Sequence, residues 1–244
     1  MHEPFALTRL LNYLFGGLVT SIMQMVGIHP AHPGAPFDNN FTIQLVIVLG
    51  LIAFFVVVRL TLSPDKPGPA QHLAEMISEF TGGLGETIIG HGAEKFQAFV
   101  TCIFLFILIA NLSGLIPGIE EPTMFPIVPL GLAVPTFLYY NYQGFRANGI
   151  GYLKQFAGPI WWMSWLLIPI ETISHFARIM SLTIRLYANM FASDMLTLGF
   201  FSLIPIGVPS IFLGLHVFVS VIQAFVFMLL SMIYLSLAVS HDAH

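Results

Sequence analysis

Glu171, His175, Arg178, Leu182, Arg185 and Asn189 follow one another at intervals of 4, 3, 4, 3 and 4 residues. That spacing places all six on one stripe of a helix, and all but Leu182 are polar. Asp194 comes nine residues after Arg185, about half a turn round a straight helix, so it points away from the arginine. His216 and Gln223, seven apart, share one face of a later helix. These residue types suit proton handling. Carboxylate and imidazole exchange protons, amides hold water, and arginine stays charged where a buried lysine could lose its proton. Nucleophilic catalysis is poorly served, because Ser181 and Ser193 lack an evident base partner. There is no phosphate-binding glycine loop and no HExxH. The histidines of "HPAHPG" and "HDAH" lie in a loop and at a terminus, so neither a metal nor a cofactor is expected.

The elements holding these residues must sit in lipid. The 244 residues are 57% hydrophobic and 8% charged, with a mean hydropathy of +0.86, whereas an ordinary soluble domain carries roughly 25% charged residues. Twelve acids and eight bases are scattered along the chain for a net charge of -4, so no basic block points to nucleic acid. The single Cys102 excludes an intrachain disulfide and reads as a small core residue. The predicted fold class is an all-α integral membrane protein with about five embedded helices and amphipathic surface helices.

A bilayer core of about 30 Å needs roughly 20 apolar residues per crossing. Residues 41–60 give the clearest one. Residues 96–143 read as a transmembrane hairpin: a span over 96–116 closed by Pro117 and Gly118, then one over 124–143 that keeps Pro126, Pro129 and Pro135. Residues 61–95 read as an amphipathic helix on the membrane surface or against a partner, with Leu73, Met76, Ile77, Phe80, Leu84 and Ile88 on one face and a loosening at Gly82, Gly83 and Gly85. Residues 144–168 form a connection, and 169–244 hold two long helical segments split by "PIGVP". Arg59 with Lys66 and Arg146 with Lys154 mark two cytoplasmic loops. Alternation then puts residues 30–40, "PGIEEPT" and "PIGVP" outside and the C-terminus inside. Within 1–40, the stretch after Arg9 could be a surface helix, a span or a signal; a helix at the outer interface is favoured.

Segments 169–204 and 210–239 would be about 54 Å and about 45 Å long at 1.5 Å per residue, so each must tilt steeply or break. Together they form a tilted hairpin. Arg185 stands sixteen residues after Pro169 and twenty before Pro205, near mid-membrane, where a charge costs several kcal/mol and marks function by default. Pairs such as Asp194 with His216, or Arg178 with Glu171, could instead only fix helix packing.

The stretches "SLTIRLYANMFASDML", "PIETISHFARIMSL", "NLSGLIPG" and "HVFVSVIQAFVFMLLSMIYLSLA" resemble the signatures of subunit a of the bacterial F-type rotary ATP synthase. The shared features are an arginine followed four positions later by asparagine, an acid fourteen before it and a base seven before it, and a histidine and glutamine seven apart. The resemblance runs from about residue 41 to the C-terminus and is most specific in the last 75 residues. The loop "GIEEPTMFP" departs from the family's usual run, and Ser193 replaces a common glycine. The resemblance implies a stator subunit with no catalytic site of its own, in the bacterial plasma (inner) membrane, beside a ring of c subunits and the peripheral-stalk b subunits. It implies that Arg185 faces the ring carboxylates. Asn189, Asp194, His216, Gln223 and Asn111 would line an outer proton half-channel, and Glu171 and Ser174 an inner one, with His175 and Arg178 beside it. The competing reading is a secondary transporter in which Arg185 binds an anionic substrate; it predicts a pseudo-repeat of broken helices, and none is visible.

Overall fold

Apolar residues at helical spacing dominate almost every segment, and the computed structural model is helical accordingly. It describes residues 4–25, 35–64, 66–90, 92–116, 119–152, 164–203 and 208–239, with no strand among them. The helices are α1 (Ala6–Met25), α2 (Asn39–Leu60), α3 (Pro69–Ile88), α4 (Glu94–Leu112), α5 (Ile127–Asn148), α6 (Ser164–Leu203) and α7 (Val208–Val239). Single 3-10 turns at Ser113–Leu115 and Pro122–Met124 lie between α4 and α5. By length and hydropathy, α1, α2, α4 with its 3-10 extension, and α7 could each cross a membrane. The prolines and the Tyr140–Gln143 polar run of α5, and the stripe of α6, make those two helices less apolar.

The chain divides into two units, Met1–Phe54 and Phe55–His244. In the first, polar residues at the start of α1 are tied to the start of α2. The Phe5 amide donates to Asn39 Oδ1, and the Thr8 hydroxyl lies 3.0 Å from the same oxygen and 2.9 Å from the Thr42 hydroxyl. The apolar face of α1, including Leu10, Tyr13, Leu14 and Leu18, is exposed.

In the second unit α4, α5, α6 and α7 pack around one another, with α3 against α4 and α7. Fully buried side chains are concentrated on α4, α6 and α7: Ile107, Leu186, Met190, Phe227, Met228 and Met232 are each no more than 1% exposed. α6 is unbroken over 40 residues and passes through Pro169, while α7 has 32, about 60 Å and about 48 Å long. The helices therefore overrun the bounds read from sequence: α5 continues to Asn148 and α6 begins at Ser164. Much of the expected "PIGVP" turn and of the 144–168 connection, along with Pro117, Gly118, Lys154 and "HDAH", lies outside the described residues.

Two expectations need correction. α3 is continuous through its glycines, which allow a close approach: a Cβ at Gly82 would lie 3.0 Å from Gln97 Nε2, and one at Gly85 would meet the Ala93 Cβ at 3.4 Å. The lack of side chains there helps α3 dock on α4 rather than loosening it. Cys102 is exposed on α4, because the helix turns Ile103, Phe104 and Leu105 inward instead.

Candidate functional site

The buried side of α6 is set by His175, Leu182, Leu186 and Met190. At 100° per residue Arg185 falls roughly 100° round the helix from the middle of that side, so it is exposed, as is Asn189. The polar stripe thus runs along the edge of the packed face. Arg185 forms no hydrogen bond or ion pair with any described residue. On one flank of it the exposed surface carries Ala177, Ser181, Ala188 and Ala192, small residues that permit another helix to approach closely.

Two polar clusters flank Arg185 along α6. In the first, Asn189 Nδ2 donates to Gln223 Oε1 on α7 at 2.8 Å. One turn further on, the Ser193 hydroxyl lies 2.8 Å from His216 Nδ1. A cleft of about 180 Å³ between the helices is lined by Asn189, Ser193, Leu196, Phe212 and Leu215 among others. On its other side the imidazole faces the connection after α4: His216 Nε2 is 3.2 Å from the Asn111 carbonyl oxygen and 3.1 Å from Glu121 Oε1. Asn111 is fixed in turn, accepting from the Thr123 hydroxyl at 2.7 Å and donating to the Ser220 carbonyl at 3.4 Å. His216 is 4% exposed and Glu121 2%. Burial, and then the charge of Asp194, push the Glu121 carboxyl up to about 8.

The acid against His216 is therefore Glu121, not Asp194. Asp194 is half-buried on α6, within electrostatic reach of His216 and Glu120, but it makes no hydrogen bond or ion pair with a described residue. The Asp194–His216 packing pair, weighed as an alternative from sequence, is therefore not formed. Sequence reading used Glu121 only to orient a loop; two adjacent acids in an acid-poor chain, ten residues after Asn111, were the available signal.

The second cluster lies toward the other end of the helices. Glu171 Oε1 is 3.6 Å from an Arg178 guanidinium nitrogen and 3.4 Å from His175 Nε2. His175 Nδ1 is 3.1 Å from the Tyr140 hydroxyl of α5, and the Arg178 guanidinium stands 5.1 Å from the centre of the Tyr234 ring of α7, within cation–π range. Tyr140, Tyr152, Glu171, His175, Arg178 and Tyr234 help to line a cavity of about 230 Å³, room for several waters. Tyr152 reaches it because Gly144 has no side chain: a Cβ there would sit 2.6 Å from the Tyr152 ring. Burial raises the Tyr152 phenol above its ordinary value, so it remains a donor to Asn141 Oδ1 at 2.9 Å. Ser174 is half-buried and is not among the residues lining this cavity. Tyr140, Tyr152 and Tyr234 were not anticipated from sequence.

Between the two clusters the buried residues of α6 and α7 are mostly apolar, Leu182, Leu186, Met190, Ala224, Phe227 and Met228, with Thr183 and Ser231 as buried hydroxyls among them. The arrangement is two separate polar clusters, a mostly apolar stretch between them, and an exposed cation level with that stretch.

The family model described as ATP synthase A chain matches residues 41–236. The chain belongs to that family. ATP synthase subunit a of Koribacter versatilis is 51% identical over 235 residues, 96% of this chain and 96% of that protein. The Solibacter usitatus subunit a is 46% identical, covering 95% and 99% of the two chains. The Sulfurimonas denitrificans subunit a is 36% identical over 85% of this chain and 94% of its own. Membership makes the chain an integral membrane subunit of a larger ATP synthase complex, in the membrane sector that serves ATP synthesis and proton transport.

Proposed function

We propose that this subunit is the stator element that conducts protons through two offset half-channels, to and from the carboxylates of a rotating c-ring. The observation that carries the reading is Arg185: exposed, without a partner among the described residues, flanked on one side by small residues and level with the mostly apolar stretch between the clusters. A guanidinium bared to lipid costs several kcal/mol, and an acidic group on a neighbouring protein would offset that cost.

A carboxylate facing lipid keeps its proton, because burial disfavours the charged form; beside a cation it can ionise. Arg185 then has two tasks, favouring release of the proton from each passing carboxyl and blocking direct leakage between the half-channels. The Asn189–Gln223 and Ser193–His216 cluster, with Asn111 and Asp194, forms the outer path. Glu171, His175 and Arg178, with the cavity they border, form the inner one, together with Ser174 on the same helix. Each charge crossing 100 mV releases about 2.3 kcal/mol, and the lateral offset between the paths converts that into rotation. The chain holds no catalytic site itself. α1 lies at the outer interface, α3 on the cytoplasmic side, and the C-terminus faces the cytoplasm of a bacterial inner membrane; the c-ring and the peripheral-stalk b subunits are the partners. An anion transporter would close Arg185 within a substrate pocket, and its exposure weighs against that reading.

The test is Arg185→Ala in inverted vesicles carrying the whole complex. Assembly persists and ATP-driven proton pumping is abolished; pumping at the unsubstituted rate ends the proposal.

A further inference from the structure

We propose that Glu121, on the connection between α4 and α5, is the residue that exchanges protons directly with His216 in the outer path. This rests on the rotary reading above and adds to it a residue outside the spans.

The geometry has three parts. Glu121 Oε1 is 3.1 Å from His216 Nε2, close enough for a proton to pass without an intervening water. The imidazole meets Ser193 through its other nitrogen, so it is held between a donor on one side and the cleft leading to Asn189 on the other. Glu121 Oε2 is buried and has no hydrogen-bond partner among the described residues, which leaves one carboxyl oxygen open for the next proton. The seat is built for this side chain: a Cβ on Gly114 would lie 2.2 Å from Glu121 Cγ and 2.5 Å from Oε1. Glycine at 114 is therefore a requirement of the buried acid.

The step balances within these groups. The Glu121 O–H bond breaks as the Nε2–H bond forms, leaving a carboxylate against an imidazolium whose Nε2–H has the Asn111 carbonyl as a second acceptor. The imidazolium then releases its Nδ1 proton to the Ser193 hydroxyl, which passes its own hydrogen to water in the cleft. The Glu121 carboxylate takes up the next proton from the outside, and a flip of the imidazole, now protonated on Nε2 alone, turns its bare nitrogen back to Glu121; ATP-driven pumping runs the same steps in reverse. Asp194, in reach of the same charges but out of contact, sets the local potential and does not carry the proton.

The experiment compares Glu121→Gln, Glu121→Asp, His216→Ala, the Glu121→Gln/His216→Ala double variant and Arg185→Ala, all as whole complexes in inverted vesicles. ATP-driven acidification is followed across a range of lumenal pH, with subunit content measured in parallel. Glu121→Gln, nearly the same shape, keeps its subunit content and loses on the order of 100-fold in pumping. The double variant is no slower than His216→Ala, and Glu121→Asp recovers pumping with a displaced pH profile. Normal pumping by Glu121→Gln while Arg185→Ala is silent overturns the proposal and leaves the rotary reading standing. Normal pumping by Arg185→Ala removes both. Should Glu121→Gln fail to assemble, the Glu121→Asp profile decides: displaced supports the exchange, unchanged refutes it.

Discussion

Replacing Gly114 with alanine tests the seating of Glu121 without touching any ionisable group. The added Cβ would lie 2.2 Å from Glu121 Cγ, 2.5 Å from Oε1 and 2.6 Å from Cδ. Ordinary carbon contacts are about 3.5–4.0 Å, so the side chain must retreat by roughly 1.3 Å or more. Rotating the carboxylate alone gives no relief, because Cγ makes the shortest contact. A retreat of that size disrupts the 3.1 Å approach to His216 Nε2, and a misplacement of about 1 Å in a reacting pair can cost on the order of 100-fold in rate. Overpacking a close-fitted site also costs about 1–3 kcal/mol of stability. Gly114→Ala vesicles should therefore pump protons on the order of 100-fold more slowly, and the detergent-solubilised complex should release this subunit at a lower temperature. Adding Glu121→Ala removes the clash: the double variant regains thermal stability but not pumping. Unimpaired pumping by Gly114→Ala would refute the argument, since it would mean that the carboxyl can leave His216 without consequence.

Two further outcomes follow from the same geometry. Glu121, facing His216 on α7 and Asp194 on α6 with Glu120 beside it in sequence, titrates near 8, so it holds its proton below that pH and loses it above. ATP synthesis driven by protons taken up from the lumen should fall as lumenal pH rises through about 8, and the fall should be absent from the residual activity of Glu121→Gln. The linkage has a definite sign. The unfolded chain releases this proton near the ordinary 4.5, so Glu121 costs stability increasingly between that value and about 8, and the unsubstituted subunit should melt from the complex more readily at pH 8 than at pH 5, a difference that Glu121→Gln reduces. At the other cluster, Tyr140→Phe removes the hydroxyl against His175 Nδ1 and leaves Glu171 and Arg178 in place. Pumping should drop several-fold without loss of subunit content, and a rate equal to that of the unsubstituted complex would exclude Tyr140 from the inner path.

Helical periodicity alone determined a good deal about this protein. It put Glu171, His175, Arg178, Arg185 and Asn189 along one edge of α6, because side chains three and four apart must share a face. It also put Gln223 seven residues beyond His216, so that in the antiparallel hairpin Gln223 meets Asn189 and His216 meets Ser193 one turn away. The tertiary structure decided what periodicity does not encode. The connection holding Glu121 has no repeating pattern, so its acid is carried to His216 only by the packing of the Pro122–Met124 turn against α4 and α6 and by the space above Gly114. The tyrosines around Glu171 come from α5, α7 and the segment after α5, and nothing in the spacing of α6 says which neighbour will cover it. Cys102 shows the same limit on a smaller scale: in an apolar run every residue fits the core equally well by type, and only the rotation of α4 against its neighbours leaves this one outside. A sequence fixes which residues share a face of a helix, whereas the identity of the group across a gap of 3 Å belongs to the way the helices and their connections close on one another.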